Sequence, residues 1–329
     1  MLNLYPKQKN DKITRNQKIS VIIGLLCALI IAIFSIFFAP PVNFPKNQII
    51  EVEKGQSLMK ISEGLHESGV IKHPRVLDFF VILFGGDKKV VAGEYSFERP
   101  LTVFEVAKRI INGRHGIDLI SIKIDEGATV EQIAVLFEER LVNFDRDEFY
   151  RLTEGQEGYL FPDTYLFFIT AHTTDVVDKL LSTFDSKTRS LMPDIQKSGK
   201  TLKEIVTMAS IIQKEAYNEY VEQQTISGIL WKRIDKGMRL QVDATLKYIT
   251  GKPSSRLTLK DLGEDHPYNT YTNDGLPPVP IGSPSLKAIK SALYPIPSPY
   301  FFYLHDNSGG VHYAVNFDQH KQNKNNYLR

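Results

Sequence analysis

One acid in this chain stands where chemistry could use it. Glu215 lies in the stretch MASIIQKEAYNEY, residues 208–220. Successive residues of a helix turn by about 100°. Met208, Ile211 and Ile212 precede Glu215 by seven, four and three positions, so they share its face, whereas Gln213 and Lys214 point elsewhere. An apolar neighbourhood disfavours an ionised carboxyl and raises its pKa. A carboxylic acid still protonated near neutrality can give a proton to a leaving oxygen, as glycosidic bond cleavage requires. The same spacing also fits a plain glutamate near a helix end, exposed or paired with Lys214, Lys232 or Arg233.

Other constellations are weaker. No G-x-S-x-G elbow, H-E-x-x-H pair, Walker-type loop or G-x-G-x-x-G occurs, which leaves serine hydrolase, zincin and nucleotide-binding chemistry without a local signature. His305 and His312 flank a C-terminal hairpin and could share a metal, but they lack a third ligand nearby. No metal and no cofactor is expected. The single cysteine, Cys27, excludes a disulfide framework within one chain and a cysteine-based zinc site. The balance of 40 basic against 38 acidic residues gives no electrostatic reason to expect nucleic acid as a partner.

A long loop, residues 253–284, holds HPYNTYTNDGLPPVPIGSP at its centre. A loop of this length is usually functional or disordered, and its rings argue for order. Prolines fix its shape at little conformational cost. Tyr268, Asn269, Thr270 and Tyr271 offer flat apolar faces and hydrogen-bonding edges. Those suit sugar rings, and they suit equally a rigid loop packed for stability.

The elements that must position these residues begin with an anchor. Residues 19–39 carry no charge, and about 20 apolar residues span a bilayer core as a helix. Lys7, Lys9, Lys12, Arg15 and Lys18 precede the run against one acid, Asp11. The positive-inside tendency places that tail in the cytoplasm. A cleaved signal peptide is the competing reading, but the run is long for one and ends in Phe37, Phe38, Ala39 and Pro40. A proline-rich stalk, residues 40–48, follows. Residues 49–52 predict a strand, Ser57 a cap for a helix carrying Leu58, Ile61 and Leu65, residues 73–85 a second helix, and 90–98 a second strand. This strand–helix–helix–strand order resembles a LysM module; a small α+β support domain fits the same residues. Further on, 101–113 predicts a helix, 117–127 a strand, and 129–141 a capped helix. A change of texture near Gly155 marks the predicted domain boundary. Helices over 176–191, 202–216 and 222–236 and a terminal hairpin around NSGG complete the chain.

Five segments in order resemble the bacterial endolytic murein transglycosylase, or YceG-like, family. They are EGYLFPDTY (157–165), MASIIQKEA (208–216), GMRLQVDATLKY (237–248), YNTYTNDGLPPVPI (268–281) and GVHYAVNFDQH (310–320). The resemblance implies an α+β protein with this layout: cytoplasmic tail 1–18, transmembrane helix 19–39, linker 40–48, LysM-like and connecting region 49–155, and a mixed α/β catalytic domain 156–329. It implies a single-pass plasma-membrane protein with that domain on the outer, periplasmic side. Family members cut peptidoglycan glycan strands internally, between N-acetylmuramic acid and N-acetylglucosamine, leaving a 1,6-anhydro end. The catalytic glutamate of the family element A-S-I-x-x-K-E matches Glu215. Gln241, Asp243, Tyr268, Asn269, Thr270 and Tyr271 match elements around the cleft and are expected to contact substrate or position Glu215. Penicillin-binding glycan polymerases are implied neighbours, with termination of strand growth as the role. A non-catalytic peptidoglycan-binding scaffold is the alternative. The chain departs from the family pattern at Gln213 and Gln319, where acids are common, at Ala244, where proline is common, and at Val279, where glycine is common.

Overall fold

A computed structural model describes residues 15–216 and 219–328 of the chain. The basic residues Lys7, Lys9 and Lys12, on which the expected orientation rests, lie outside the described residues. The apolar run forms α1 (Arg15–Phe37), and Ile19–Phe37 within it is long and apolar enough to cross a membrane.

Contacts divide the chain into two compact units, Met1–Asp118 and Leu119–Arg329. In the first, β1 (Ile49–Val52) pairs antiparallel with β2 (Gly93–Ser96). Between them run α2 (Leu58–Glu67) and α3 (Pro74–Phe84), and α4 (Val103–Ile111) follows. Ser57 does cap α2, its side chain accepting from the Lys60 N–H. Thr102 and Glu105 form a reciprocal capping box on α4. Such caps satisfy N–H groups that a helix start leaves unpaired. Val52, Leu65, Leu77, Tyr95, Phe97 and Val106 make this unit's core.

The second unit opens with β3 (Leu119–Lys123), paired antiparallel with β4 (Thr164–Phe168). Between these strands lie α5 (Val130–Glu138) and α6 (Arg146–Leu152). The texture change at Gly155 is therefore not where contacts divide: hydrogen bonding between β3 and β4 carries the unit across it. Helices α7 (Thr173–Thr188), α8 (Met192–Lys197), α9 (Leu202–Glu215), α10 (Tyr220–Asp235), α11 (Asp243–Thr250), the short α12 (Leu259–Leu262) and α13 (Leu286–Leu293) follow. β5 (Phe302–His305) and β6 (Val311–Ala314) form the expected hairpin, and α14 (Phe317–Tyr327) comes last. The architecture is mixed α+β, with its sheets among the described residues all two-stranded.

Helix α9 is the spine of this unit. Thr201 and Glu204 box its first turn. Ile205 to Ile212 is then buried without a break, against α10, α11 and α13. The expected single apolar face is too modest a description, because the helix is covered on all sides for two turns. Its first and last turns emerge, and Glu215 is its final residue.

Candidate active site

Glu215 is placed by the end of α9, and its carboxyl is received by two other elements. Oε1 accepts from the backbone N–H of Ala244, in the first turn of α11, at 3.2 Å. Oε2 accepts from the hydroxyl of Tyr303, on β5, at 2.9 Å. Burial raises its pKa, and the negative charge of Asp243 adds to the rise; the Tyr303 and Ala244 hydrogen bonds and nearby His305 oppose it. Burial outweighs them because ionising a desolvated carboxyl forfeits more hydration than two neutral donors return.

The plain reading of Glu215 does not describe this setting. Arg233 is held elsewhere, with Nε on the Phe301 carbonyl at 2.9 Å and a terminal nitrogen on the Leu240 carbonyl at 2.5 Å. Lys232 Nζ donates to the Ser298 carbonyl. No salt bridge joins Glu215 to a lysine or arginine among the described residues.

Glu215 opens into a cleft of ≈ 670 Å³ whose walls include Gln241, Asp243, Tyr271, Tyr303 and Arg233. Tyr271 donates its hydroxyl to Asp243 Oδ1 at 2.5 Å. Burial, together with that carboxylate, raises the Tyr271 pKa, and burial beside Glu215 raises that of Tyr303. Both phenols therefore remain protonated donors. Gln241 reaches the cleft from a backbone with φ 48°, a left-handed conformation that non-glycine residues seldom adopt. Its N–H donates to the Thr270 carbonyl at 3.0 Å, which ties it to the long loop.

The other three predicted site residues do not line this cleft. Asn269 is fully buried, with Nδ2 on the Leu262 and Glu264 carbonyls and Oδ1 accepting from the Tyr271 N–H. Thr270 is 2% exposed, its hydroxyl accepting from the Val242 N–H and paired with Thr245. Neither has surface left for a ligand; of the two expected roles, only positioning is open to them. Asn269 braces the loop on itself, and Thr270 fastens it to the start of α11, which carries Asp243 and Ala244.

Tyr268 lies in a second, adjoining cleft of ≈ 580 Å³, with Glu157, Tyr248, Lys214, Lys247 and His266. Its ring stacks on Tyr248 with centroids 5.2 Å apart. Glu157 was not singled out from the sequence. Both its oxygens accept from the Val130 N–H at 3.3 Å, and Tyr248 donates to Oε2 at 3.3 Å. Burial pushes its pKa up to about 7 against those bonds. Tyr303 was also missed. The strand alternation of YFFYLHD puts it on one side with His305, but nothing local connects that side to a helix 88 residues earlier.

The two histidines considered for a metal are separately engaged, His305 with Glu222 and His312 with Asp306. No cluster of three metal-ligating side chains occurs among the described residues. Gln213 points away from the cleft. Its amide donates to Glu126 at 3.1 Å and its oxygen accepts from the Ser285 N–H and hydroxyl. Gln319 caps its own surroundings, accepting from the Val315 N–H.

The profile of the YceG-like family matches residues 50–326. A Bacillus subtilis protein named endolytic murein transglycosylase is 28% identical over 306 residues, spanning 85% of this chain and 84% of that protein. A Streptococcus pneumoniae protein of the same name is 26% identical over 329 residues; the match spans 85% of this chain but 58% of the longer relative. A crystal structure of a YceG-like protein from Listeria monocytogenes is 27% identical with a TM-score of 0.56, covering 84% of this chain and 99% of that one.

Proposed function

The chain belongs to the YceG-like family, and from that premise we propose that it is an endolytic peptidoglycan lytic transglycosylase with Glu215 as its acid and base. The observation that carries this reading is the setting of Glu215. It is a carboxyl whose pKa burial raises, facing an open cleft, with a donor on each oxygen.

In the forward step, Glu215 gives its proton to the oxygen bridging N-acetylmuramic acid to N-acetylglucosamine, and the bond from that oxygen to the muramyl anomeric carbon breaks. The carboxylate left behind is received by Tyr303 and the Ala244 N–H, which keeps the transfer from being prohibitively uphill. Glu215 then takes the proton of the muramyl 6-hydroxyl as its oxygen closes on the anomeric carbon. No water is consumed, and Glu215 ends protonated, as it began. A hydroxyl held within the same sugar outcompetes water through its high effective concentration. Asp243, held by Tyr271, supplies negative charge to the wall of the cleft while positive charge develops on the ring. Gln241 and Tyr271 contact the sugars; Asn269 and Thr270 position them. Tyr268 with Tyr248 offers a stacking face further along the strand.

The finer layout belongs to the same reading. The β1–α2–α3–β2 arrangement is a LysM-like subdomain, α1 is a single-pass anchor with its N-terminus in the cytoplasm, and the cleft works on the outer side. There it would meet nascent strands beside penicillin-binding polymerases and terminate their growth. The test is direct. Full-length protein incubated with un-crosslinked glycan strands should yield internal fragments ending in anhydro sugars by mass spectrometry, and Glu215→Gln should abolish them. Reducing ends would mean a hydrolase instead. No cleavage of any strand by the parent chain would leave a binding scaffold.

A further inference from the structure

Helix α3 is apolar on two opposite faces, and only one of them is covered. Leu77 and Val81, four residues apart, are fully buried in the core of their unit. Phe79, Ile82 and Leu83 are 60%, 63% and 62% exposed. Their spacing of three and four places them on one stripe, and exposed Arg75 continues it one turn earlier. Singly scattered apolar residues on a surface need no explanation. A helix apolar on opposite faces normally has an apolar medium or a partner on each.

What lies next to this stripe identifies the medium. The end of α1 rests on α3 within the same unit. Phe37 meets His73, at the start of α3, with ring centroids 5.3 Å apart, and Phe38 meets Phe80 at 5.9 Å. Lys72 Nζ donates to the Ser35 carbonyl at 2.7 Å, and the Val103 N–H donates to the Phe38 carbonyl at 3.2 Å. His73 and Phe80 are about 10 Å apart along a helix axis. Because they touch Phe37, the last residue of α1, and Phe38, the residue after it, the first two turns of α3 lie against the end of α1 and do not lead away from it. The 19 residues of the apolar span measure about 28 Å as a helix, close to the ~30 Å of a hydrocarbon core. Its last residues therefore mark the edge of that core. The final turn of α3 adds only about 5 Å, within the ~5–10 Å depth at which interfacial helices seat apolar side chains.

We propose that the Phe79–Ile82–Leu83 face of α3 docks into the bilayer leaflet at the C-terminal end of α1, as a second, interfacial membrane contact. Arg75 and Lys72 stand where lipid phosphates would be, which is the usual place for cations beside such a face. The contact would restrain the unit against the membrane surface, where a single helix followed by a linker would leave it free to swing. The proposal rests on α1 being embedded and is independent of the catalytic reading.

The experiment uses full-length protein in vesicles of phosphatidylethanolamine and phosphatidylglycerol. A depth-sensitive fluorophore is attached to Cys27, the only cysteine, or to Phe79→Cys in a Cys27→Ser background. Quenchers are placed shallow or deep on the lipid chains. The Cys27 probe should be quenched most by the deep quencher and the Phe79→Cys probe most by the shallow one. Ile82→Cys repeats the measurement on the same stripe should Phe79→Cys fold poorly. Quenching at Cys27 without quenching at either α3 position would sink the docking and leave the anchor standing. No quenching at Cys27 would remove the premise and the proposal with it. Unquenched α3 probes, with the same Phe79→Cys or Ile82→Cys variant left unlabelled joining two copies by a disulfide on oxidation, would assign the face to a second chain, overturning the lipid assignment.

Discussion

Glu157 and Glu215 occupy adjoining clefts of one unit, and in both burial raises the carboxyl's pKa against a tyrosine and a backbone N–H. Each carboxyl meets a helix start, Glu157 that of α5 and Glu215 that of α11, but only Glu215 also sits at the end of a helix of its own. Glu157 stands at the start of α5, with both oxygens on Val130, the first residue of that helix. The partial positive charge of a helix N-terminus favours a carboxylate. Glu215 ends α9, where the dipole disfavours one, and Asp243 adds a like charge. Its two oxygens go to two separate donors, both supplied by other elements. Burial sets the direction of both shifts; the donors decide whether the carboxyl is fastened or free to exchange a proton. Glu157 fastens α5 to Tyr248, and Glu215 faces the open cleft.

That contrast can be broken most forcefully by removing each carboxyl in turn. Glu215→Gln should lower kcat for anhydro-end formation by about 10²–10⁴-fold. Glu157→Gln should fall well short of that range. Comparable losses for the two would mean that Glu157 shares the proton transfer.

Stability against pH separates them from the other side. Folded Glu157 titrates near 7 against a reference value of 4.5, so between those values the folded chain holds a proton the unfolded chain has lost. Its contribution is fully present below about pH 4.5 and is lost as pH rises through 7. Glu157→Gln should thus be more stable than the parent at pH 8, by on the order of 1–3 kcal/mol, with the two converging at pH 4. Thermal unfolding at pH 4, 6 and 8 measures this. A variant less stable than the parent at pH 8 would show that the Val130 and Tyr248 bonds outweigh burial.

The donors can then be tested separately. Tyr303→Phe removes the 2.9 Å bond to Glu215. The ionised form loses support, so the Glu215 pKa rises and the basic limb of the kcat/KM profile moves to higher pH. The carboxylate formed in the proton transfer also loses about 1–2 kcal/mol, so kcat should drop roughly tenfold. Tyr248→Phe, the matching change at Glu157, should leave the pH profile where it was.

Much of this arrangement was legible in the sequence where the cause is local. The α9 periodicity, the Ser57 cap and the hairpin around NSGG depend on neighbours a few residues apart, and each is where the residues put it. Glu215 was legible as an acid in apolar company. What surrounds it was not, because Tyr303 comes from 88 residues away and Ala244 from 29. Glu157 lies inside a quoted motif, yet its raised pKa depends on burial among Val130, 27 residues distant, and Tyr248, 91 distant. Asn269 and Thr270 carry the hydrogen-bonding groups of ligand contacts, and only burial reveals that those groups are used within the loop and on the start of α11. The polar α14, FDQHKQNKNNY, buries no residue and so has no periodicity to read. Gln213, the least comfortable match to the family, proves to be a bridge between Glu126 and Ser285 that needs one donor and one acceptor, which an ionised acid lacks.

Ala244 is the departure with a consequence for chemistry. The family pattern leads one to expect proline there, and proline has no N–H to offer Glu215. The position itself would accept one. Ala244 is the second residue of α11, where a helix has no intrahelical partner for the N–H. The molecule already contains such a case: Pro193 is the second residue of α8, preceded by Met192 at φ −54°, ψ −43°. Ala244→Pro should therefore fold while deleting the 3.2 Å bond to Glu215. The carboxylate loses one of its two donors, so the Glu215 pKa should rise, in the same direction as with Tyr303→Phe. The shift should be the smaller of the two, below about one unit, because the bond removed is longer. A basic limb displaced upward by less than in Tyr303→Phe is the expected profile. An unchanged limb would mean that Tyr303 alone receives the carboxylate, and that the alanine at 244 has no part in setting when Glu215 holds its proton.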